Sequence, residues 1–328
     1  MVAFHQEDLS KYNFLITGGA GFIGSNIVEY LIYHKAKKIR VLDNLSTGFF
    51  KNIESFIKNN QIEFIEGSIT DIELCMKACE GIDYVSHQAA LGSVPRSLNN
   101  PIASNEANVT GFLNVLWACK EQKVKRLVYA SSSSVYGDSP ILPKQESQIG
   151  KPLSPYALTK YINELYAEIF AKSYGTESIG LRYFNVFGYK QSPEGVYAAV
   201  IPLFINALNN NQAPIINGDG LQSRDFTFIE NAVQANIKAM FSKHPEAPNK
   251  VYNVACGERL SVKGIFDLIS EILHKEIKPQ FGDARKGDVK DSLADISQAK
   301  NLLGYEPQVF AKEGLQKTIE WFLKNQAL

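Results

Sequence analysis

The sequence predicts an α/β protein built on a doubly wound parallel sheet, completed by a smaller, mixed α/β domain toward the C-terminus. Three observations predict it. A short apolar run, Asn13 to Thr17, breaks at Gly18-Gly19-Ala20-Gly21-Phe22-Ile23-Gly24 and resumes with helical spacing through Ile27, Tyr30 and Leu31. A second apolar run, Lys38 to Leu42, delivers Asp43 nineteen residues after Gly24. Further runs at 62–65, 83–86, 126–129 and 179–184 alternate with helical stretches near 71–80 and 105–121, the rhythm of parallel strands joined by crossover helices.

Each element has a local cause. Gly18 permits a tight turn, Gly21 lets the backbone approach a pyrophosphate, and Gly24 lets the following helix pack closely on the strand. The helix N-terminus then faces the phosphates. The spacing is GxxGxxG rather than the commoner GxGxxG. Asp43 stands where a carboxylate accepts both ribose hydroxyls of an adenosine and repels a 2′-phosphate, which favours NAD over NADP. An Asp opening a turn with Asn44 is the local alternative. Ligands of such sheets sit beyond the strand C-termini. His87 to Ser93 and Ala130 to Gly137, the latter with four consecutive serines, are expected there.

The sixth strand ends at Asn185, and the regular alternation then lapses. A helix is expected within 188–211, a strand and turn at 214–220, an extended stretch at 224–229 and a helix from Ile229 to about Phe241. Val251 to Val254 returns to the main sheet, and helices follow near 261–274, 295–303 and 311–324. Residues 1–187 with 229–255 are thus expected to form a dinucleotide-binding (Rossmann) domain, and 188–228 with 256–328 a second, substrate-binding one.

At 328 residues the chain can bury a large core, and 45% apolar with 21% charged residues is ordinary for a soluble enzyme. Equal counts of 34 basic and 34 acidic residues give no field that invites nucleic acid or an anionic membrane. A small-molecule partner is expected instead. Cys75, Cys79, Cys119 and Cys256 match neither a disulfide framework nor a zinc pattern, and the five histidines are scattered, so no metal is expected. The N-terminus lacks a charged segment followed by an apolar one, and no run reaches membrane-spanning length. A cytoplasmic location is the expectation.

Ser154-Pro155-Tyr156-Ala157-Leu158-Thr159-Lys160 places a phenol and an ammonium one helical turn apart on one face. A phenol of pKa near 10 needs roughly three units of depression to act as a base at neutral pH. One ammonium at about 5 Å supplies roughly 3 kcal/mol toward that at an effective dielectric near 20. Lys160 is therefore expected to pull the Tyr156 pKa down. Standing alone, such a pair is more often a surface lysine beside a half-buried tyrosine.

The company of the pair gives it meaning. TGGAGFIGSN, VLDNLSTG, HQAALGSVPRS, SSSSVYG, SPYALTK, LRYFNVFG, INGDGLQSRDF and KGDVKDSLAD occur in one order across residues 12–307. In this the chain resembles the extended short-chain dehydrogenase/reductase family, and within it the nucleotide-sugar 4-epimerases, most of all those acting on UDP-N-acetylglucosamine. The resemblance implies Tyr156 as catalytic base, Lys160 as its activator and a nicotinamide-ribose ligand, and Ser132 as the hydroxyl that bonds the sugar O4. It implies an NAD site of Gly18, Gly21, Phe22, Ile23, Gly24, Asp43, Asn44, Ser46, Thr47, Gly48, Ser68, Ile69, Gln88, Ala89, Ala90, Asn108, Tyr156, Lys160 and Tyr183. A UDP-sugar substrate would meet Gly92, Ser93, Arg96, Ser132, Ser133, Ser134, Tyr156, Asn185, Val200, Arg224, Arg285, Asp288 and Ser292, with Ser131 a neighbour. Arg224 and Arg285 around a pyrophosphate make physical sense, because the guanidinium fork matches phosphate oxygens.

Two positions bear on the sugar. Relatives restricted to UDP-glucose and UDP-galactose carry a tyrosine where this chain has Ser292 and a lysine where it has Gly92, so the resemblance implies room for an N-acetyl group. One departure concerns the cofactor: Ser68 stands where the family often has an Asp on the adenine amino group, and a hydroxyl makes the weaker bond.

The reaction follows from what is missing. Related dehydratases carry an Asp-Glu pair before the VYG element and related decarboxylases a Glu, whereas this chain has Ser133 and Ser134. A 4-keto sugar made here has no further proton chemistry open to it and takes its hydride back, inverting C4. UDP-glucose and UDP-galactose are further candidate substrates, and uronic-acid sugars are the alternative, with Arg96 a candidate partner for their carboxylate, and equally for the pyrophosphate or a nearby Glu. A non-catalytic NAD-binding sensor is the alternative of another class, against which stands the complete set of Ser132, Tyr156 and Lys160. The family also suggests a homodimer through the helices near 105–121 and 155–173, with Phe112, Leu113, Leu116, Trp117, Tyr161, Leu165, Tyr166 and Ile169 as candidate contacts.

Overall fold

The computed structural model describes residues 1–194, 199–283 and 291–326. Seven strands form its main sheet: β1 (Asn13–Thr17), β2 (Lys38–Asp43), β3 (Glu63–Glu66), β4 (Tyr84–His87), β5 (Arg126–Ser132), β6 (Ser178–Tyr183) and β7 (Lys250–Val254). Their order is β7-β6-β5-β4-β1-β2-β3, and every pairing is parallel. The chain runs outward from β1 through β2 to β3, then crosses back to lay β4 on the other side of β1. The switch point between β1 and β4 opens a crevice at the strand C-termini. Helices cover both faces, which is why β1 and β6 are almost continuously buried rather than alternating.

The strands expected from the sequence all form, with one informative shift. β5 continues through Ser132, so Ser131 and Ser132 lie in the sheet rather than in a loop beyond it. Register explains this: Ser131 pairs with Arg182 and Ser132 with Tyr183 on β6. The stretch near 105–121 likewise divides, into a wider π-type turn at Glu106–Thr110 and an α-helix at Gly111–Glu121. In that helix Phe112 and Leu116 are fully buried in the chain's own core, so neither can serve a subunit contact.

Beyond β6 the chain pairs in short pieces. Val186–Phe187 lies parallel to Thr227–Phe228, and Ser223–Arg224 antiparallel to Leu260–Ser261. Ile215–Asn217 lies parallel to Gln280–Gly282. The Ile229–Phe241 helix returns to pack against the Phe22–Tyr33 helix. Asp225, fully buried, ties these pieces together: its carboxylate accepts from the backbone N–H of Cys256 at 2.9 Å, Gly257 at 3.1 Å and Ala294 at 3.3 Å. Burial pushes its pKa up to about 6 against those three donors.

No helix among the described residues is long and apolar enough to cross a membrane. Among them there is also no cluster of three or more metal-ligating side chains, and all four cysteines are free and buried.

Candidate active site

The glycine turn is built as its spacing implies. Gly18 takes φ +69°, and a Cβ there would stand 2.6 Å from the Ala89 amide nitrogen. Only a glycine lets β1 and the loop after β4 approach so closely. A Cβ on Gly24 would in turn run into the Gly18 carbonyl. Asp43, at the end of β2, is buried, and its carboxylate accepts from Ala20 N at 2.9 Å and Leu45 N at 2.8 Å. Burial raises its pKa against those two bonds.

From this turn a cavity of about 490 Å³ extends across the strand ends. Gly18, Gly21, Phe22, Ile23, Gly24 and Thr47 line one end, Gln88, Ala90 and Tyr183 the middle, and Gly92, Ser93, Arg96, Ser132, Tyr156, Lys160 and Asn185 the other. An elongated space with a glycine turn and helix N-terminus at one end and a buried ammonium at the other fits a dinucleotide. Two smaller cavities adjoin it through Asn185. One, of about 280 Å³, is lined by Val200, Arg224, Phe226 and Gln222 among others. The other, of about 240 Å³, is lined by Ser133, Ser134, Lys144 and Ser292 among others. None of the described residues lining the three is a carboxylate.

The Pro155–Tyr174 helix starts where its cap dictates, with Ser154 Oγ accepting from Ala157 N at 3.1 Å and Pro155 in the first turn. Tyr156 N donates to Ser97 Oγ at 3.0 Å, which fixes the start of the helix against the segment after β4. Lys160, 2% exposed, donates from Nζ to the Ala130 carbonyl at 2.8 Å. Its pKa falls to about 8 because burial outweighs the nearby Glu164 carboxylate. The Tyr156 phenol is raised, by burial first, with the hydrogen-bonded Ser132 hydroxyl working against it. This is opposite to the expected direction: burial outweighs the hydrogen-bonding neighbour, and the ammonium donates toward Ala130 of β5.

Other predicted residues take more local partners. Ser132 Oγ accepts from Ser134 N at 3.1 Å and Ser134 Oγ at 2.9 Å. Ser93 caps the Val94–Asn99 helix, its Oγ accepting from Arg96 N at 3.3 Å. Ser68 shares a hydrogen bond with Thr70 at 2.8 Å. Ile69 packs on Gly111. Asn44 accepts from Ser46 N at 3.1 Å, and Gly48 abuts Ala20. Asn108, 1% exposed, spends its amide on both backbone groups of Leu91 and on Thr159, so it shapes the loop after β4 from beneath the cavity. Arg285 and Asp288 lie outside the described residues.

Two groups of the site, Glu164 and His87, were missed from the sequence, as were the partners of the expected Tyr183. Glu164, one turn beyond Lys160, accepts from Arg182 Nε at 2.9 Å and Nη2 at 2.7 Å, and from Ser131 Oγ at 2.5 Å. Its i,i+4 spacing from Lys160 was the available signal. Tyr183 OH donates to Gln88 Oε1 at 3.2 Å and accepts from Asn236 at 2.7 Å, holding the middle of the cavity rigid. His87, 1% exposed, shares a 2.8 Å hydrogen bond with Thr17 Oγ1, and burial together with Lys160 drives its pKa down to about 3.

His87 gives an acid-side prediction. Between pH 6.5 and about 3 the unfolded chain protonates this imidazole and the folded chain does not, so stability is lost as pH falls, by about 1.4 kcal/mol per unit. In urea titrations at pH 6.5 and 5, the wild type is expected to lose about 2 kcal/mol more than His87→Gln. Equal losses would show that His87 does not carry this dependence.

A parallel doubly wound sheet with a glycine turn at its switch point and a Ser, Tyr, Lys set across the crevice defines a dinucleotide-binding oxidoreductase-type enzyme. Residues 14–255 match the model of the NAD dependent epimerase/dehydratase family, and the chain belongs to that family. A UDP-N-acetylglucosamine 4-epimerase from Methanobrevibacter ruminantium M1, solved with UDP-N-acetylmuramic acid, is 40% identical with a TM-score of 0.90, covering 96% of this chain and 99% of that one. A UDP-glucuronic acid 4-epimerase from Bacillus cereus, solved with UDP-glucuronic acid and NAD, is 29% identical with a TM-score of 0.89, covering 95% and 99%. A UDP-glucose 4-epimerase from Mycolicibacterium smegmatis is 33% identical over 310 residues, 94% of this chain and 97% of that one. The cofactor is NAD, and the chain is of the nucleotide-sugar 4-epimerase kind.

Proposed function

We propose that this protein interconverts UDP-N-acetylglucosamine and UDP-N-acetylgalactosamine by inverting C4. The observation that carries the proposal is Ser132, Tyr156 and Lys160 on one wall of the cavity, with no carboxylate among the described residues of any wall. A dehydratase or decarboxylase would need further acids or bases there; an epimerase needs none.

In this reading Tyr156 takes the O4 proton and Ser132 holds O4 in line with it. Bound NAD would supply hydride acceptance at C4 and its return to the opposite face of the ring. The phenol is not a free phenolate in this structure, since burial raises its pKa. Proton removal is therefore expected to run with hydride departure, which acidifies O4 as the carbonyl forms. Lys160, buried in the lining of the same cavity, would hold the nicotinamide ribose, and its positive charge would favour the transient negative charge on Tyr156.

Gly18, Gly21 and the start of the following helix would hold the pyrophosphate of NAD, Asp43 with its remaining lone pairs the adenosine ribose. Val200 and Arg224 in the 280 Å³ cavity, with Asn185 at its junction, would hold the UDP moiety, joined by Arg285 and Asp288. Two features favour an N-acetylated sugar. Ser292 lines the 240 Å³ cavity beside the ring, and around Gly92 nothing lies within 4 Å of where a Cβ would stand. The relative solved with UDP-N-acetylmuramic acid lends the same support.

The test is to incubate the protein separately with UDP-GlcNAc, UDP-Glc and UDP-GlcNAc uronic acid and resolve the C4 epimers by proton NMR. The highest kcat/KM is expected for UDP-GlcNAc; a higher value for either other sugar overturns the choice of substrate. We also propose that a second copy covers the exposed apolar residues Leu158, Leu165, Ile169 and Trp117, and light scattering should then give twice the monomer mass.

A further inference from the structure

The 240 Å³ cavity is what remains once the dinucleotide, the reacting ring and the UDP moiety have been assigned to the other spaces. One of its walls carries a group that no step above uses. Lys144 is 4% exposed, and its ammonium donates to the Ser139 carbonyl with the Tyr136 ring centroid 6.0 Å away. Among the described residues no carboxylate pairs with it, and burial lowers its pKa. An ammonium has three donors, and one carbonyl engages one of them. A buried cation so placed is costly unless acceptors reach it from the cavity side.

The backbone fixes its position against the segment that carries Ser292. Lys144 N donates to Leu293 O at 2.7 Å, and Lys144 O accepts from Asp295 N and from Asn253 Nδ2, each at 2.9 Å. Ser292 N is anchored in turn to Ser223 O at 3.0 Å. The cavity's lining thus combines the donors Lys144, Ser133, Ser134 and Ser292, with Asn185 and Arg224 where it meets the 280 Å³ cavity, and an apolar side that includes Val94 and Phe184. A cavity of about 150 Å³ is enough for benzene, so the four heavy atoms of an acetamido group fit here with room to spare.

We propose that Lys144 determines specificity for the substituent at the sugar C2, its ammonium donating to the carbonyl oxygen of an N-acyl group lodged in this cavity while the acyl methyl meets the apolar side. This rests on the UDP-sugar reading of the site and goes beyond it, because room beside Ser292 admits an acyl group whereas Lys144 selects it.

The test compares wild type with Lys144→Met, which keeps the length of the side chain, and Lys144→Gln, which keeps an N–H donor. Dissociation constants for UDP-GlcNAc, UDP-Glc and UDP-glucuronic acid are measured with NAD bound, together with kcat and KM for UDP-GlcNAc. Loss of a charged hydrogen bond predicts that Lys144→Met weakens UDP-GlcNAc relative to UDP-Glc by roughly 10- to 100-fold, in KM rather than kcat, with Lys144→Gln between. If Lys144→Met does not fold, Lys144→Gln decides by the same ratio, a fall supporting the proposal and an unchanged ratio overturning it. Equal weakening of both sugars overturns the proposal, and so does selective loss of UDP-glucuronic acid, which would place a C6 carboxylate at Lys144 instead. Wild type that binds UDP-Glc but not UDP-GlcNAc overturns the substrate reading and this inference together; wild type that epimerises UDP-GlcNAc with a ratio indifferent to Lys144 overturns only the inference.

Discussion

Tyr156→Phe is expected to lower kcat for epimerisation by about 10²- to 10⁴-fold, the span that a positioned acid–base group supplies. The change removes one hydroxyl and keeps the ring. The Tyr156 backbone bond to Ser97 and the Ser132 contacts with Ser134 do not depend on the phenol oxygen, so the wall of the cavity should survive. NAD content, read from the absorbance of protein-bound dinucleotide after denaturation, should equal that of wild type, and KM should change far less than kcat. A loss below about tenfold would show that the O4 proton leaves by another route.

The second large effect concerns stability. Arg182→Met should cost about 3–5 kcal/mol, because it leaves the Glu164 carboxylate buried with the Ser131 hydroxyl as its remaining hydrogen-bond donor while removing two charge-assisted bonds. Arg182 also donates to Glu146 O at 2.9 Å and lies 4.9 Å from the Tyr136 ring centroid, so packing is lost with the charge. Adding Glu164→Gln should recover part of the loss, since the stranded charge is then gone. Urea denaturation of wild type and the two variants reads this directly. A single-variant loss under 1 kcal/mol would mean that water reaches Glu164 and that the pair is not a dry one.

What could be read from the sequence was local. The glycine turn, Asp43 at the end of β2 and the Tyr156–Lys160 spacing each depend on residues within a few turns of chain, and spacing alone placed them. What escaped depended on pairing between distant segments. Whether Ser131 and Ser132 lie in a strand or a loop is decided by β6, whose Arg182 and Tyr183 stand opposite them. The partner of Lys160 is a carbonyl of β5, thirty residues earlier, which no side-chain pattern announces. The direction of the Tyr156 shift is likewise set by burial, which depends on how distant segments pack over the helix start. Phe112 and Leu116 illustrate the same limit, since an apolar helix face is the same in sequence whether its own core or a second copy covers it.

The central claim, a hydride removed from C4 and returned to C4, is tested most directly by running the reaction in D₂O. With UDP-GlcNAc as substrate, proton NMR and mass spectrometry should show UDP-GalNAc accumulating toward equilibrium with protium retained at C4 and C5. Deuterium appearing at C4, or at C5 beside a carbonyl, would mean that the hydrogen exchanges with solvent, and the account would be wrong.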